Sequence, residues 1–545
     1  MNYSKLREME KKVVIAAGQG ASANFKSGNH QADNPENGAS WGEDRTIRAQ
    51  IIRDLCLGTN PRWTVHTKGL QIKGAKITGK LDLEAAAISH PLLLIDCYFE
   101  NQMTFTDAET RMLDLSGSHT KDIWADGITA HSHVILDGIK VEGELRLIGA
   151  DIGGNLSCKG ANLNNPSGKA LNADRVKTKG CVYLNNSFFA NGWVRLVGAN
   201  LGGDLYCAGR FQAPEEGVNR RREVLSADHL TTKAGVFLYN GFVADGEVRL
   251  LNMRVAGDLR CEKAIFKNPG KKAFTAENMK VTGTFRWRNL CEQPKDEVSF
   301  AYANVGQLDD DPGSWPKEGK LVLDGFVYQT FHENAETNAK TRKKWMGLQP
   351  AYRPQPYEQL VQVLRRMGHE GDARKIAIVK QDAWMKELRK QKRWAAWFWK
   401  LLLWSTIGYG YRLWLIPLFW FPFFITIGTG VFNCADRVSA IKPAKREVLA
   451  DQKYVKSGPP QENYPIFDSL LYSVDLLIPI ISLNQKSNWL ATHAKEYCSF
   501  PIYGATWEIY VSGRFYQLYT GTHQVFGWIL TSLLVAGLTG LVKKD

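Results

Sequence analysis

The chain has 545 residues, which is long enough for two or three structural units rather than one core. It contains 44% hydrophobic residues and carries a net charge of +14, but its two parts differ in composition: residues 1–390 are polar and glycine-rich, whereas most long apolar runs follow residue 393. The first twelve residues are charged and lack the apolar run of a signal peptide, so we expect the N-terminal part to stay in the cytoplasm.

An internal repeat dominates residues 67–330. Three segments align directly, at 143–158, 192–207 and 246–261, and an earlier relative occupies 69–84. Each contains units of about eleven residues that read apolar, any, apolar, then a turn with Gly or Ala. Each triplet predicts a short strand with one buried face, and two units together have the length of one β-helix turn. Nine or ten turns at ~4.8 Å would form a rod roughly 45 Å long.

The middle residues of alternate triplets predict two rows of outward side chains. One row is Asp82, Thr104, Trp124, Arg146, Asn172, Arg195, Ser226 and Arg249. The other row is Leu93, Asp114, Ile135, Ser157, Tyr183, Tyr206, Phe237 and Arg260. Tyr183, Tyr206 and Phe237 make the second row apolar, which predicts a partner-binding strip. The alternative is an ordinary cross-strand aromatic ladder, which stabilises a sheet by about 0.2–1 kcal/mol per pair.

Covers and insertions complete the predicted rod. Residues 1–66 are predicted to form an N-terminal helical cap that includes an amphipathic helix over Trp41–Leu57, because the open end of a parallel sheet needs a cover. Residues 308–316 and 321–326 are predicted to form the closing turns. Insertions at equivalent points of the repeat should project from one side of the rod, and these are residues 164–169, 214–223 and 267–272.

Seven of the nine cysteines precede the apolar part of the chain. None belongs to a C-x-x-C pair, so we expect no zinc site and no other metal site. Cys158, Cys207 and Cys261 recur at one phase of the repeat and are interpreted as small core residues.

Residues 331–392 are predicted to form a basic helical stalk. The segment 356–391 has the pattern of a helical hairpin and resembles a single tetratricopeptide-type hairpin. Residues 333–400 contain 16 Lys and Arg against 7 Asp and Glu. Because this charge lies just before the first apolar run, we expect its partner to be a lipid bilayer with anionic headgroups rather than nucleic acid.

Residues 411–545 are predicted to form a membrane domain with spans at about 413–432 and 525–542. The segment 393–410 begins with a tryptophan-rich run that is too short to span, which favours an interfacial helix. Its TIGYG sequence is similar to a potassium filter but precedes the first span, so we interpret it as a glycine hinge. Basic residues near one end of each span predict a multi-pass protein with both termini in the cytoplasm.

The segment 466–483 lies between the predicted spans and combines an apolar run with Asp468 and Asp475, whose spacing of seven predicts that they share one helix face. It predicts either a re-entrant, pore-helix-like element or an amphipathic interfacial helix. A third span would place the basic C terminus outside the cytoplasm, so we do not favour it. Cys434 and Cys498 would both be extracytoplasmic, which predicts a disulfide between them.

The steps Gly-Ala-Asp-Ile-Gly and Gly-Ala-Asn-Leu-Gly resemble the pentapeptide-repeat family of right-handed β-helices, although the unit here is eleven residues. With PQPYEQL (354–360), GYGYR (408–412) and AGLTGL (536–541), the layout resembles bacterial pentapeptide-repeat-like membrane proteins with two C-terminal transmembrane helices. The expected fold is mainly β, a right-handed parallel β-helix followed by a helical hairpin and an α-helical membrane domain. The resemblance implies a location in the bacterial inner (cytoplasmic) membrane.

The sequence contains no phosphate-binding glycine loop, nucleophile elbow, H-E-x-x-H or dinucleotide fingerprint. We therefore expect no catalytic residues and no cofactor, and we do not favour an oxidoreductase. The expected function is a membrane-anchored, non-enzymatic scaffold or sensor whose cytoplasmic β-helix binds a protein partner or self-associates into a homo-oligomer. The alternative is an oligomeric ion channel or pore-forming effector, gated by the β-helix, in which Asp475 faces the lumen.

Overall fold

The computed structural model describes residues 6–214, 222–449, 464–492, 497–502, 505–510 and 514–539, with backbone alone for the strands after residue 496. The chain divides into two compact units, Met1–Ile376 and Ala377–Asp545. The first unit is a parallel β-solenoid of about 11 turns with helices at its ends, slightly longer than the nine or ten turns that the repeat predicted.

In the part of the solenoid that the structure describes, 38 strands are joined in one continuous sheet. Leu70 pairs with Leu92, and Leu81 pairs with Met103, each about 22 residues further along the chain. The pairing of two eleven-residue units into one turn is therefore confirmed. Each turn has four faces, which we number 1 to 4, and along most of the short strands a buried residue alternates with a more exposed one.

Each face is a ladder of parallel strands, most of them two to four residues long. Face 1 contains Leu81–Asp82, Met103–Thr104, Ile123–Trp124, Leu145–Arg146, Glu223–Ser226, Glu247–Arg249, Lys272–Thr275, Glu297–Ser299 and Leu321–Val322. Face 2 contains Ala87–Ile88, Glu109–Thr110, Thr129–Ala130, Asp151–Ile152, Lys177–Thr178, Asn200–Leu201, Thr231–Thr232 and Arg254–Val255. Face 3 contains Leu70–Lys73, Leu92–Ile95, Leu113–Asp114, Val134–Ile135, Leu156–Ser157, Val236–Leu238 and Leu259–Arg260. Face 4 contains Lys76–Thr78, Tyr98–Phe99, His119–Thr120, Lys140–Val141, Val243–Asp245 and Ile265–Lys267.

Several longer strands continue around a corner and belong to more than one face. These are Asn162–Asn172, Val182–Arg195, Leu205–Gln212, Lys280–Trp287, Asn304–Asp310 and Val327–Phe331. The predicted insertion 164–169 lies within one of these strands, and the register shifts between Asn164 and Lys169. The predicted insertion 267–272 forms a turn between strands Ile265–Lys267 and Lys272–Thr275. The third, 214–223, lies mostly outside the described residues.

Alternating burial along the strands builds the core of the solenoid. Leu92 and Leu94 are completely buried, whereas Leu93 between them faces outward. Turns between faces use left-handed backbone, as at Gly117 (φ 65°), where a side chain would collide with the Asp96 carboxylate of the neighbouring turn. The three phase-matched cysteines are fully buried, and desolvation raises the pKa of each thiol well above its ordinary range; these are Cys158, Cys207 and Cys261.

The N-terminal end is covered by helices α1 (Glu8–Gln19) and α2 (Ala49–Leu57), and strand Ser22–Asn24 pairs with the first strand of face 3. The predicted helix over Trp41–Leu57 is correct only in its second half. Thr46–Arg48 is instead a strand that pairs with Lys76–Thr78, because its backbone groups complete the exposed edge of face 4.

The other end of the solenoid closes on two helices that the sequence did not place there. Helix α3 (Ala339–Gly347) follows strand Val327–Phe331, and α4 (Pro354–Arg366) packs against the same strand. The fully buried Arg342 of α3 donates two hydrogen bonds to Asp310. Residues 308–310, predicted as part of a closing turn, therefore belong to strand Asn304–Asp310, and Asp310 anchors the cover.

The second unit contains the rest of α5 (Glu370–Lys390), then α6 (Trp394–Ile407), a π-helical turn at Ile416–Trp420 and α7 (Phe421–Arg437). Helix α8 (Ser469–Leu477) and α9 (Phe515–Leu538) follow. Short helices lie at Arg446–Leu449 and Gln485–Asn488, and two antiparallel strand pairs join Ile441–Pro443 to Trp489–Ala491 and Tyr497–Ile502 to Ala505–Tyr510.

Among the described residues, two helical segments are long and apolar enough to cross a membrane, Ile416–Arg437 and Phe515–Leu538. The first coincides with the predicted span at 413–432 except for a few residues at its ends. The second begins ten residues before the predicted start at 525, because its first turns carry polar residues that a hydropathy pattern does not include.

Candidate docking face

Face 3 of the solenoid carries the predicted aromatic residues in direct register. Tyr183 pairs with Tyr206, and Tyr206 pairs with Phe237, so the three side chains occupy one position on three consecutive turns. The other residues of the predicted row also stack in register, and so does the polar row of face 1. Four of the side chains predicted to face outward are nevertheless buried; these are Thr104, Ser157, Asn172 and Ser226. We call Tyr183, Tyr206 and Phe237 the aromatic ladder.

The rings of the ladder stack on one another along the solenoid axis. The Tyr183 and Tyr206 centroids are 5.3 Å apart with ring planes 2° from parallel, and Tyr206 and Phe237 are 4.9 Å and 10° apart. All three side chains are half-buried. Because each ring covers its neighbour, the ladder presents mainly ring edges to its surroundings.

One end of the ladder is covered by a cation, and the ring at the other end has an aromatic neighbour on its own turn. The Lys159 ammonium lies 4.4 Å from the centroid of the Tyr183 ring, and Tyr239 packs against Phe237 at a centroid distance of 5.6 Å. On the next turn Arg260 pairs with Glu262 through a hydrogen bond of 2.7 Å. The ladder is therefore an apolar strip bounded by charged groups, of which Arg260 is neutralised by its own neighbour.

The phenol groups of the ladder are held by the turn that precedes each strand. Tyr206 donates a hydrogen bond of 2.9 Å to Asp204, whose other oxygen accepts from the backbone N–H of Gly235. Partial burial, together with this carboxylate, raises the pKa of Tyr206 to about 12. A hydrogen bond to Cys181 and partial burial raise the pKa of Tyr183. Both phenols therefore stay neutral at physiological pH, so the ladder remains an uncharged surface.

The structure does not bring Asp468 and Asp475 together on one helix face. Asp468 precedes α8 and caps it, accepting hydrogen bonds from the backbone N–H groups of Leu470 and Leu471. Asp475 lies inside α8 and is completely buried within the second unit. Its carboxylate accepts from the N–H groups of Leu483 at 3.1 Å and of Lys486 at 2.9 Å. The arrangement fixes the chain that follows α8.

A second buried polar cluster in this unit was not identified from the sequence. His523 of α9 lies 3.2 Å from the hydroxyl of Ser473 in α8 and 3.4 Å from the hydroxyl of Tyr519. Gly428 of α7 faces the same hydroxyl, because a side chain at that position would collide with Ser473. The cluster therefore packs three helices together. His523 was missed because it precedes the start of the predicted second span.

The predicted disulfide lies partly outside the described side chains. Cys434 is disulfide-bonded, and it also accepts a contact of 3.5 Å from the Tyr516 hydroxyl. Cys498 lies in strand Tyr497–Ile502, whose side chains are not described. Its pairing with Cys434 stays a prediction.

Comparison with known proteins places the chain in no family. Within the described residues, no three His, Cys, Asp or Glu side chains are grouped so that they could hold a metal ion. No protein-family model matches the sequence, and comparison with curated proteins and with solved structures gives no significant similarity.

Proposed function

We propose that the chain is a membrane-anchored, non-enzymatic scaffold whose solenoid docks a flat apolar protein surface, on another protein or a second copy, at the aromatic ladder of face 3. The observation that carries this proposal is the register of Tyr183, Tyr206 and Phe237, which places three neutral, half-buried rings in one strip. Aromatic residues are enriched in the cores of protein interfaces, where a polar rim surrounds them.

The ring geometry favours a protein partner over a sugar or a nucleic acid base. Sugars and bases bind aromatic side chains by lying on the ring face. In the ladder the ring faces lie against the next ring or, at Tyr183, against Lys159, and Tyr239 packs beside Phe237. Ring edges in a row instead match a flat surface that contacts several turns at once.

The membrane anchor is supported by apolar side chains that the chain itself does not bury. Only 28% of the apolar window in each candidate spanning helix is buried, whereas a core helix of a soluble protein would be mostly covered. Leu418 and Leu538 are both 71% exposed, and Leu518 is 68% exposed. Contact with lipid would remove this surface from water, so we propose that both helices cross a membrane.

The position of Asp475 favours a scaffold over a pore. A carboxylate that selects ions in a channel faces water, whereas Asp475 has no exposed surface and is engaged by two backbone N–H groups. Its hydrogen bonds suit a structural role within the second unit.

Site-specific photo-crosslinking of the full-length protein in its native membrane tests the proposed docking. A benzoylphenylalanine at Phe237 should give a discrete adduct, whereas the same group at Trp124 should not. Trp124 is the matched control because it is an outward aromatic residue of face 1 that is 37% exposed. Tyr206→Glu in the same chain should abolish the adduct at 237, because it places a charge in the apolar strip, and Trp124→Glu should leave it.

An absent adduct at 237, or equal adducts at 237 and 124, would contradict the proposal. Circular dichroism of the purified Tyr206→Glu protein in detergent checks that the solenoid is intact. The mass of the adduct identifies whether the surface belongs to a second copy or to another protein.

A further inference from the structure

Face 2 carries a row of cations over five consecutive turns of the solenoid. The outward column of this face runs Lys177, Asn200, Thr231, Arg254 and Lys280, one residue per turn. Lys179 and Lys233 add two more cations, each two residues after a position in the column. All five charged side chains are exposed. We call Lys177, Lys179, Lys233, Arg254 and Lys280 the basic row.

None of the five cations has an ion-pair partner among the residues that the structure describes. A shallow groove of about 270 Å³ lies among Lys177, Lys179 and Lys233. Asp151 borders the groove one turn before Lys177, but it forms no ion pair with it in the described structure. The positive charge of the basic row is therefore open to an external partner.

On face 1 of the same solenoid, the outward cations form ion pairs with carboxylates of the chain itself. Its outward arginines each bind an aspartate of the turn before them; the pairs are Arg146 with Asp126, Arg195 with Asp174, and Arg249 with Asp228. In each pair the aspartate also accepts a hydrogen bond from a backbone N–H of the following turn. On face 2 Asp151 lies one turn before Lys177 but forms no ion pair with it in the described structure, so ion pairing within the solenoid does not account for the cations of the basic row.

The acidic residues at the corner between faces 2 and 3 are already engaged. Asp204 accepts from Tyr206 and from the N–H of Gly235, and Asp258 accepts from the N–H of Thr284 at 2.8 Å. These carboxylates therefore serve Tyr206 and the backbone of the next turn, and in the described structure neither pairs with a cation of the basic row.

We propose that the basic row binds the anionic headgroups of a lipid bilayer. Five cations on a flat face, spread over ~20 Å at the spacing of stacked strands, can reach a planar surface simultaneously. Each cation near an anionic bilayer contributes about 1 kcal/mol of attraction. The chain also carries two helices apolar enough to insert in a bilayer, which would keep headgroups at a high local concentration.

A nucleic acid fits this face less well. Single-stranded binders place aromatic side chains between their cations so that bases can stack. The outward positions between Lys177 and Arg254 are Asn200 and Thr231, so this part of the column offers no ring. The proposed contact of the basic row with the bilayer requires only a negatively charged surface, and it does not depend on the docking proposed for face 3.

Lysine footprinting of the unmodified full-length protein tests the proposal. The protein is reconstituted in nanodiscs of phosphatidylcholine alone or of phosphatidylcholine with phosphatidylglycerol, and acetylation rates are measured by mass spectrometry. Lys177, Lys179, Lys233 and Lys280 should be acetylated several-fold more slowly in the anionic discs, and high salt should restore the rates because it screens the attraction. Exposed lysines away from face 2 are internal controls whose rates should not change; these are Lys68, Lys121 and Lys317.

A charge-reversal variant supplies a second measurement. The triple change Lys177→Glu, Lys179→Glu and Lys233→Glu should abolish the protection of Lys280 in anionic discs. The matched variant Lys68→Glu, Lys121→Glu and Lys317→Glu has the same net charge and should keep it. Equal rates at the basic row in both kinds of disc would overturn the proposal. Protection by added duplex DNA in neutral discs, without protection by anionic lipid, would also overturn it.

Discussion

Arg342 and Asp310 form a buried ion pair that joins the helical cover to the last turns of the solenoid. Two guanidinium nitrogens each donate to a different carboxylate oxygen at 2.8 Å, and the guanidinium lies 4.0 Å from the centroid of the Phe331 ring. Neither side chain is more than 2% exposed. The Trp315 indole donates a further hydrogen bond of 2.8 Å to the same carboxylate.

Removing Arg342 should open the end of the solenoid. Arg342→Ala leaves the Asp310 carboxylate buried without its cation. The free energy needed to open this end of the solenoid should therefore fall by about 3–5 kcal/mol. Hydrogen exchange of the amides in Val327–Phe331 measures this cost. The double change Arg342→Met with Asp310→Asn should recover much of it, because Asn removes the unpaired charge and keeps an acceptor for Trp315. Equal exchange in both variants would contradict the role of the charge.

The periodicity of the sequence was enough to predict the parts of the fold in which the same contact repeats from one turn to the next. Tyr206 follows Tyr183 by one turn and precedes Phe237 by one, so the spacing of apolar triplets was enough to align them. Arg342 and Asp310 are 32 residues apart and belong to different kinds of element, so no periodic signal connects them.

The same limit explains what the sequence missed in the second unit. A spacing of seven places Asp468 and Asp475 on one helix face only if both are helical, but Asp468 ends the preceding extended segment and caps α8. His523 is polar and therefore interrupts the hydropathy pattern, yet it packs against Ser473 inside the unit. Burial supplied by other helices cannot be read from the segment itself.

The N-terminal cover should lose stability in acid through Glu10. Burial alone would raise the pKa of Glu10, but hydrogen bonds from the Arg48 side chain, at 2.6 and 2.7 Å, and from backbone N–H groups lower it below its ordinary value of 4.5. Because the pKa of Glu10 is lower in the folded state, the ionised carboxylate stabilises the fold. This stabilisation is complete above the pKa of the unfolded state and is lost as pH falls through the pKa of the folded state.

Glu10→Gln tests this dependence. Near neutral pH it should weaken the cover by about 1–3 kcal/mol, because Arg48 loses a charged acceptor. Hydrogen exchange of α1 amides, corrected for intrinsic rates, should show faster opening of the variant at neutral pH. The difference from the native protein should shrink below pH 4.5. A difference that is independent of pH would contradict the assignment.

Tyr206 should ionise about two pH units above an ordinary tyrosine. The pKa of Tyr206 is about 12 in the folded state and about 10 in the unfolded state. The stabilisation that the neutral phenol gives is therefore complete below about pH 10 and is lost as pH rises through about 12. The phenolate absorbance of the native protein minus that of Tyr206→Phe should therefore titrate near pH 12. Asp204→Asn should move this midpoint down, because it removes the adjacent negative charge. A midpoint near 10 in the native protein would show that the phenol is solvated.

Asp475 should act as a structural acceptor. Asp475→Asn weakens the hydrogen bonds from Leu483 and Lys486 and removes the charge 3.5 Å from the Lys486 ammonium, so we expect a loss of about 1–3 kcal/mol. Faster hydrogen exchange at Leu483 and Lys486 measures it. Asp468→Asn is the control and should be nearly neutral, because asparagine caps helices as well as aspartate does. Altered conductance of reconstituted Asp475→Asn protein with unchanged exchange would instead support a pore.

The predicted bond between Cys434 and Cys498 tests whether the chain crosses the membrane. Cys434 is disulfide-bonded, whereas the seven cysteines that precede it are free thiols. Disulfides persist in oxidising compartments, so this difference is expected if the region between the two apolar helices lies on the side opposite the solenoid. Alkylation of the denatured, unreduced protein should modify the seven free thiols and leave a peptide pair that contains Cys434 and Cys498.

Cys498→Ser should then expose Cys434 to alkylation and lower the stability of the second unit by about 2–4 kcal/mol. Cys291→Ser is the control, because Cys291 is an exposed free thiol and should change neither result. Alkylation of both Cys434 and Cys498 in the unreduced native protein would refute the bond. It would also remove the redox evidence for a crossing, since all the cysteines would then share one reducing compartment.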